Sequence, residues 1–178
     1  MSGRLVHCLL WELLCCCYLS VSKCYATDQH PRHLSLPLPA QALLQAARLG
    51  DAAAITKLCA AGADPDTAFS NDRETEGWAA LHFAASAGHL EATCALLCAG
   101  ACVYQLSSEA SSGDNGRQPL LLAAENGHGA VVKALLAAGA EVDAGDREAQ
   151  VTALSYAARS GHVPVMIALL GAGADPNR

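Results

Sequence analysis

GWAALHFAASAGHLEATCALLCAGACV, residues 77–103, reads as two short apolar helices set back to back, broken at Gly88-His89 and closed at Gly100-Ala101. The same grammar recurs along the chain: small apolar residues, a glycine followed by a polar residue, a second apolar segment, then Gly-Ala. It occurs four times. The glycines between segments are Gly50, Gly88, Gly127 and Gly161, followed by Asp51, His89, His128 and His162. The closing glycines are Gly62, Gly100, Gly139 and Gly173, each followed by alanine. Within every copy the two glycines stand twelve positions apart, whereas the copies recur at intervals of 38, 39 and 34 residues.

A unit that keeps its interior spacing and varies only between copies carries its insertions in loops. That predicts a repeat array, not one compact core. The copies span about residues 40–66, 77–104, 117–143 and 151–177, within a repeat domain of residues 40–178.

Ala79-Ala80-Leu81-His82, with Ala84-Ala85, Gly88-His89, Leu96-Leu97 and Gly100-Ala101, resembles the ankyrin repeat, whose usual opening is Thr-Pro-Leu-His. The other copies open with Gln118-Pro119-Leu120-Leu121, Thr152-Ala153-Leu154-Ser155 and Gln41-Ala42-Leu43-Leu44, and no copy keeps both Thr and His. The resemblance covers residues 39–178. It implies an all-α, ankyrin-like solenoid of stacked helix-turn-helix repeats joined by hairpin loops. It further implies a non-enzymatic protein–protein interaction module, a scaffold presenting a concave groove and hairpin tips to a protein partner.

The residue chemistry agrees. A helix stopping at Gly88, Gly127 or Gly161 needs a left-handed residue, which only glycine adopts cheaply. Asp51 and the three following histidines are placed to cap or begin the second helix. Ala46-Ala47, Ala84-Ala85, Ala123-Ala124 and Ala157-Ala158 let neighbouring first helices approach closely. Leu96-Leu97, Leu135-Leu136 and Leu169-Leu170 fill the layer between first and second helices, each burial contributing about 1.5–3 kcal/mol. One unit is too thin to stand alone, and stacked neighbours supply its core.

With 52% apolar and 4% aromatic residues, the core is built of Ala and Leu, which suits stacked helices and not a β-sandwich. Residues 40–178 carry eight Lys or Arg against fifteen Asp or Glu. That balance argues against nucleic acid and anionic membrane as partners of the array.

Residues 1–26 differ in kind. Arg4 precedes the apolar run LVHCLLWELLCCCYLSV, and Cys24-Tyr25-Ala26 offers a cleavage point before Thr27. This is the layout of a secretory signal peptide, interrupted by His7 and Glu12. An ionised carboxylate within such a run costs about 2.5–3.5 kcal/mol on insertion scales. Three readings stay open: a cleaved signal peptide, an uncleaved anchor through residues 5–21, or an inert start. The first places the array in the secretory pathway and the last in cytoplasm or nucleus; a membrane partner arises only if residues 5–21 remain as an anchor. Residues 27–39 read as a linker, since Pro31, Pro37 and Pro39 oppose a helix before Ala40. Asp66 to Gly77 is an acidic loop, and Tyr104 to Arg117 a Ser/Gly-rich one with a turn at Asp114-Asn115-Gly116.

The array has no nucleophile elbow, no His-Glu-x-x-His and no Cys-x-x-Cys pair of metal spacing, so neither catalysis, metal nor cofactor is expected. The His30/His33 pair lacks carboxylate or cysteine neighbours. Cys94, Cys98 and Cys102 form the one cluster worth weighing. In repeat register Cys94 matches Lys133 and Thr56, which predicts exposure; Cys98 shares that face. The alternative function is therefore a secreted or lumenal redox- or metal-responsive repeat protein using exposed Cys94, Cys98 and Cys102. Cys59 matches Leu97 and Leu136 and is expected to be buried.

Carried over from the family, the partner-binding positions are Arg48, Leu49, Trp78, Ser86, Arg117, Glu125, Asn126, Val151, Arg159 and Ser160, with hairpin-tip candidates Glu74, Glu76, Asp114, Asn115, Arg147 and Glu148. Trp78 is the best single anchor, because tryptophan and arginine dominate interface hot spots. Arg48, Arg117 and Arg159 make a cationic stripe on an acidic array, favouring a peptide of acidic character. Val165, Met166, Ile167, Leu169 and Leu170 of the last copy lack a following repeat to cover them, which points to a fragment, a short isoform or a separate cover. Asn177 sits where ankyrin-like proteins can be hydroxylated; Asp66 and Asp143 hold that place in copies one and three.

Overall fold

The computed structural model describes residues 38–68, 77–107, 116–146 and 150–178. Eight α-helices lie among them: α1 (Leu38–Leu49), α2 (Ala52–Ala60), α3 (Ala80–Ala87), α4 (Leu90–Cys98), α5 (Pro119–Glu125), α6 (Gly129–Ala137), α7 (Ala153–Arg159) and α8 (Val163–Gly171). No strand forms among the described residues beyond one isolated bridge, Gly145 to Thr152. The expected pairing of two short helices per copy holds in all four. α1 begins two residues earlier than expected, because proline is tolerated in the first helical turn, where its missing N–H has no partner to lose.

The first helices α1, α3, α5 and α7 pack in one row and the second helices α2, α4, α6 and α8 in another, each hairpin bridging the two. Ala47, Ala84, Ala85, Ala123, Ala124 and Ala157 are wholly buried. A larger side chain there would force the first helices apart. Leu96, Leu135 and Leu169 fill the middle layer with no exposed surface, together with Ile55, Val131, Val132 and Val165. The second leucine of each pair is less enclosed than the sequence suggests: Leu97 and Leu136 are half-buried and Leu170 is exposed. Val165 and Leu169 likewise depart from expectation, being buried because they face back into the stack.

A repeated latch sets the register between units. His89, His128 and His162 stand at the N-caps of α4, α6 and α8 but make no capping bond with their side chains. Each imidazole instead reaches the preceding repeat. His89 Nε2 pairs with the Arg48 carbonyl at 3.2 Å, His128 Nε2 with Ser86 at 3.0 Å and His162 Nε2 with Glu125 at 2.9 Å. Since a carbonyl only accepts, Nε2 carries the proton in all three. The ring lies over the preceding inter-helix glycine. A Cβ at Gly88 would come within 2.4 Å of His128 Nδ1, and one at Gly127 within 2.8 Å of the His162 ring. These glycines therefore answer two demands, a left-handed φ and a bare surface for an imidazole. Asp51, with no described repeat before it, caps its own helix by accepting from the Ala54 N–H at 2.9 Å.

A second tie joins the hairpin loops. Asp66 Oδ1 accepts from the Cys102 N–H at 2.7 Å, and Asp143 Oδ1 from the Asp175 N–H at 3.0 Å. Both acids stand four residues beyond their closing glycine. At the same position of repeat two, the Tyr104 hydroxyl donates to the Gly139 carbonyl.

Candidate partner-binding face

The candidate positions sit at the C-terminal ends of the first helices and in the segments leading into them. Arg48, Leu49, Asn126, Arg159 and Ser160 are exposed; Trp78, Ser86, Arg117, Glu125 and Val151 are half-buried. The structure draws several of them together. Asn126 Nδ2 donates to Ser86 Oγ at 3.3 Å across the joint between repeats two and three. The Arg117 guanidinium pairs with Glu125, and Arg159 Nη2 reaches the same carboxylate at 3.3 Å. Leu49, Val151 and Ser160 contribute no side chain to these contacts.

Two aromatic residues that sequence reasoning passed over organise the arginines. Tyr156 lies between Arg117, whose guanidinium is 5.0 Å from the ring centroid, and Arg159 at 4.8 Å. Phe83 lies under Arg48 at 5.3 Å and beside the Trp78 ring at 5.1 Å. Phe83, Leu122 and Tyr156 occupy one register position, five residues before the inter-helix glycine. That regularity was the signal available in the sequence. Each such cation–π contact is worth about 0.5–1 kcal/mol at a partly exposed site. The arginines are thus held in place before any ligand arrives, and the stripe is less cationic than expected because Glu125 serves two of its three members.

Buried groups under this face are satisfied by the loops. His82 has no exposed surface; its Nδ1 accepts from the Ala79 N–H at 3.1 Å, which leaves Nε2 to donate to the Arg117 carbonyl at 3.2 Å. Asp146 is buried, accepting from the Tyr156 hydroxyl at 2.9 Å and the Val151 N–H at 3.2 Å. Burial first, and then that bond to Asp146, hold the Tyr156 phenol above its ordinary range. The hairpin-tip candidates Glu74, Glu76, Asp114, Asn115, Arg147 and Glu148 lie outside the described residues, as do residues 1–37.

The opposite side carries the thiols. Cys59, Cys94 and Cys98 line an open hollow of about 520 Å³ between α2 and α4, with Thr56, Ala60, Ala95 and Ala99. Cys94 and Cys98 are exposed, as their register requires. Cys59 is only half-buried, and desolvation, then the charge of Asp64, push its thiol up. Cys102 corrects the expectation of an exposed trio: it is buried, where the chain past Gly100 turns inward to meet Asp66, and its sulfur is held in a disulfide. Among the described residues, no three His, Cys, Asp or Glu side chains stand together as a metal-binding group. No helix among them is long and apolar enough to cross a membrane.

The family model for ankyrin repeats in three copies matches residues 43–146 and again 99–178. The chain is a member of the ankyrin-repeat family. No curated protein matches it. Ankyrin repeats mediate protein–protein interaction in general and are typically non-enzymatic.

Proposed function

We propose that this ankyrin-repeat chain is a non-enzymatic scaffold that binds a protein partner along its first-helix side, through Arg48, Trp78, Ser86, Arg117, Glu125, Asn126 and Arg159. The observation that carries the reading is the Arg117–Glu125–Arg159 cluster clamped on Tyr156. It spans repeats three and four, it is ordered by the fold, and Arg159 is 65% exposed on its side chain. A scaffold ordered before contact loses little entropy on docking. An acidic partner side chain displaces Glu125 from Arg159 and pairs with a guanidinium already oriented by the ring beneath it. Leu49, Val151 and Ser160 complete the apolar and polar rim.

Capture of partners by the wild-type chain, compared with Arg159→Glu and Trp78→Ala, tests this. Partners selected by the wild type and lost from both variants, while a Lys133→Glu control on the opposite side retains them, are expected. Partners held equally by all four chains would exclude this face.

A further inference from the structure

One carboxylate on the partner face stands where a ligand's anion would. Glu125 is the last residue of α5, at the end of a helix where negative charge is disfavoured. The same register position holds Arg48, Ser86 and Arg159 in the other repeats. Two guanidinium groups from different repeats keep the acid there: Arg117 Nη1 donates to its Oε2 and Arg159 Nη2 to its Oε1. Both cations rest on the Tyr156 ring, and that ring is fixed by its hydroxyl bond to the buried Asp146. The Glu125 backbone is also tied, its carbonyl accepting from His162 Nε2, so only its side chain is free to swing away. What remains when it does is a seat shaped for two adjacent oxygens of one anion. Arg159 engages a single donor there, at 3.3 Å, and its side chain is 65% exposed, so the seat opens to solvent on that side.

Charge decides what can take the seat. A carboxylate from outside only repeats the bonds of Glu125, which is tethered in place at an effective concentration of millimolar order or above. A phosphate monoester carries a charge of about −1.5 to −2 and three acceptor oxygens. It bonds both guanidinium groups and keeps an oxygen for the remaining donors of Arg159, the bidentate geometry that arginine favours. We propose, resting on the partner-face reading above, that Arg117 and Arg159 form a recognition site for a phosphorylated side chain of the protein partner. Glu125 is its built-in competitor, which rejects acidic segments that carry no phosphate. The excess of Asp and Glu over Lys and Arg in the array opposes nucleic acid or an anionic membrane as the source of that phosphate.

Phenyl phosphate and benzoate, titrated into the full chain and followed at the arginine Nε–H resonances, test this. The wild type is expected to bind phenyl phosphate at least about tenfold more tightly than benzoate, the worth of one further charge-assisted bond. Glu125→Gln removes the competitor and is expected to tighten both ligands and narrow the gap between them. Arg159→Gln loses the phenyl phosphate preference, while Lys133→Gln on the opposite side keeps it. Equal binding of the two ligands by the wild type, a preference that survives Arg159→Gln, or weaker phenyl phosphate binding by Glu125→Gln would each overturn the proposal. Binding to vesicles containing phosphatidic acid that is lost on Arg159→Gln would overturn it too, since the phosphate would then belong to a lipid. Protein partners lost from Arg159→Glu but still captured from a phosphatase-treated extract would refute the phosphate and leave the partner face standing. Partners that Arg159→Glu retains would remove both.

Discussion

Removing the imidazole at the joint between repeats two and three gives the sharpest test of how the stack is held. His128→Ala deletes the 3.0 Å bond to the Ser86 carbonyl and the ring that covers Gly88. The bond is worth about 1 kcal/mol net and the vacated space a similar amount, for a loss of about 2–3 kcal/mol. Gly88→Ala introduces a methyl 2.4 Å from the His128 ring at a φ of +77°. The left-handed strain costs about 1–2 kcal/mol, and expelling the ring forfeits the latch as well, about 4 kcal/mol altogether. In the double variant the methyl meets no ring. Its cost therefore equals that of Gly88→Ala alone, about 4 kcal/mol, and not the additive sum of about 6–7 kcal/mol. Urea unfolding of the four chains, followed by circular dichroism at fixed m-value, measures this. Additivity to within about 0.5 kcal/mol would refute the coupling of glycine to histidine across the joint.

Asp51→Ala removes a side-chain cap and is expected to cost about 1 kcal/mol in thermal unfolding, while Asp51→Asn retains most of it. Tyr156 is held above its ordinary phenol range, so its stabilising effect is fully present below the unfolded value of about 10 and is lost as pH rises through the elevated folded one. Urea midpoints taken from pH 9 upward should fall for the wild type and flatten for Tyr156→Phe; a parallel fall in both would contradict the Asp146 bond. With a thiol reagent at neutral pH, Cys94 is expected to react before Cys59, because burial and Asp64 suppress the Cys59 thiolate. Equal rates would show that Cys59 is not shielded.

Much of the architecture was legible because its signals are local. The paired glycines twelve positions apart fixed where each helix pair begins and ends, and aligning them placed Lys133, Cys94 and Thr56 together on the outer face, where all three are exposed. What escaped depends on partners in the neighbouring repeat. The histidines were recognised as recurring, but their role as caps was inferred from adjacency, whereas their acceptors lie 37 to 42 residues earlier. Asp146 carried no signal of its own in the sequence and is buried, because the Tyr156 hydroxyl and the Val151 N–H converge on it. The arginine stripe was found by register, but its neutralisation by Glu125 was not, since one residue's charge cannot reveal which of two cations it will face.

The stacked order of the four units can be measured without any partner. Spin labels placed in pairs at Thr56, Cys94, Lys133 and Ile167, all exposed and equivalent in register, mark the outer face of successive repeats once every other cysteine of the chain is replaced. A stack with about 10 Å between neighbouring helices predicts separations from position 56 of about 10, 20 and 30 Å, rising in equal steps. A separation between positions 56 and 167 no greater than that between 56 and 94 would contradict it.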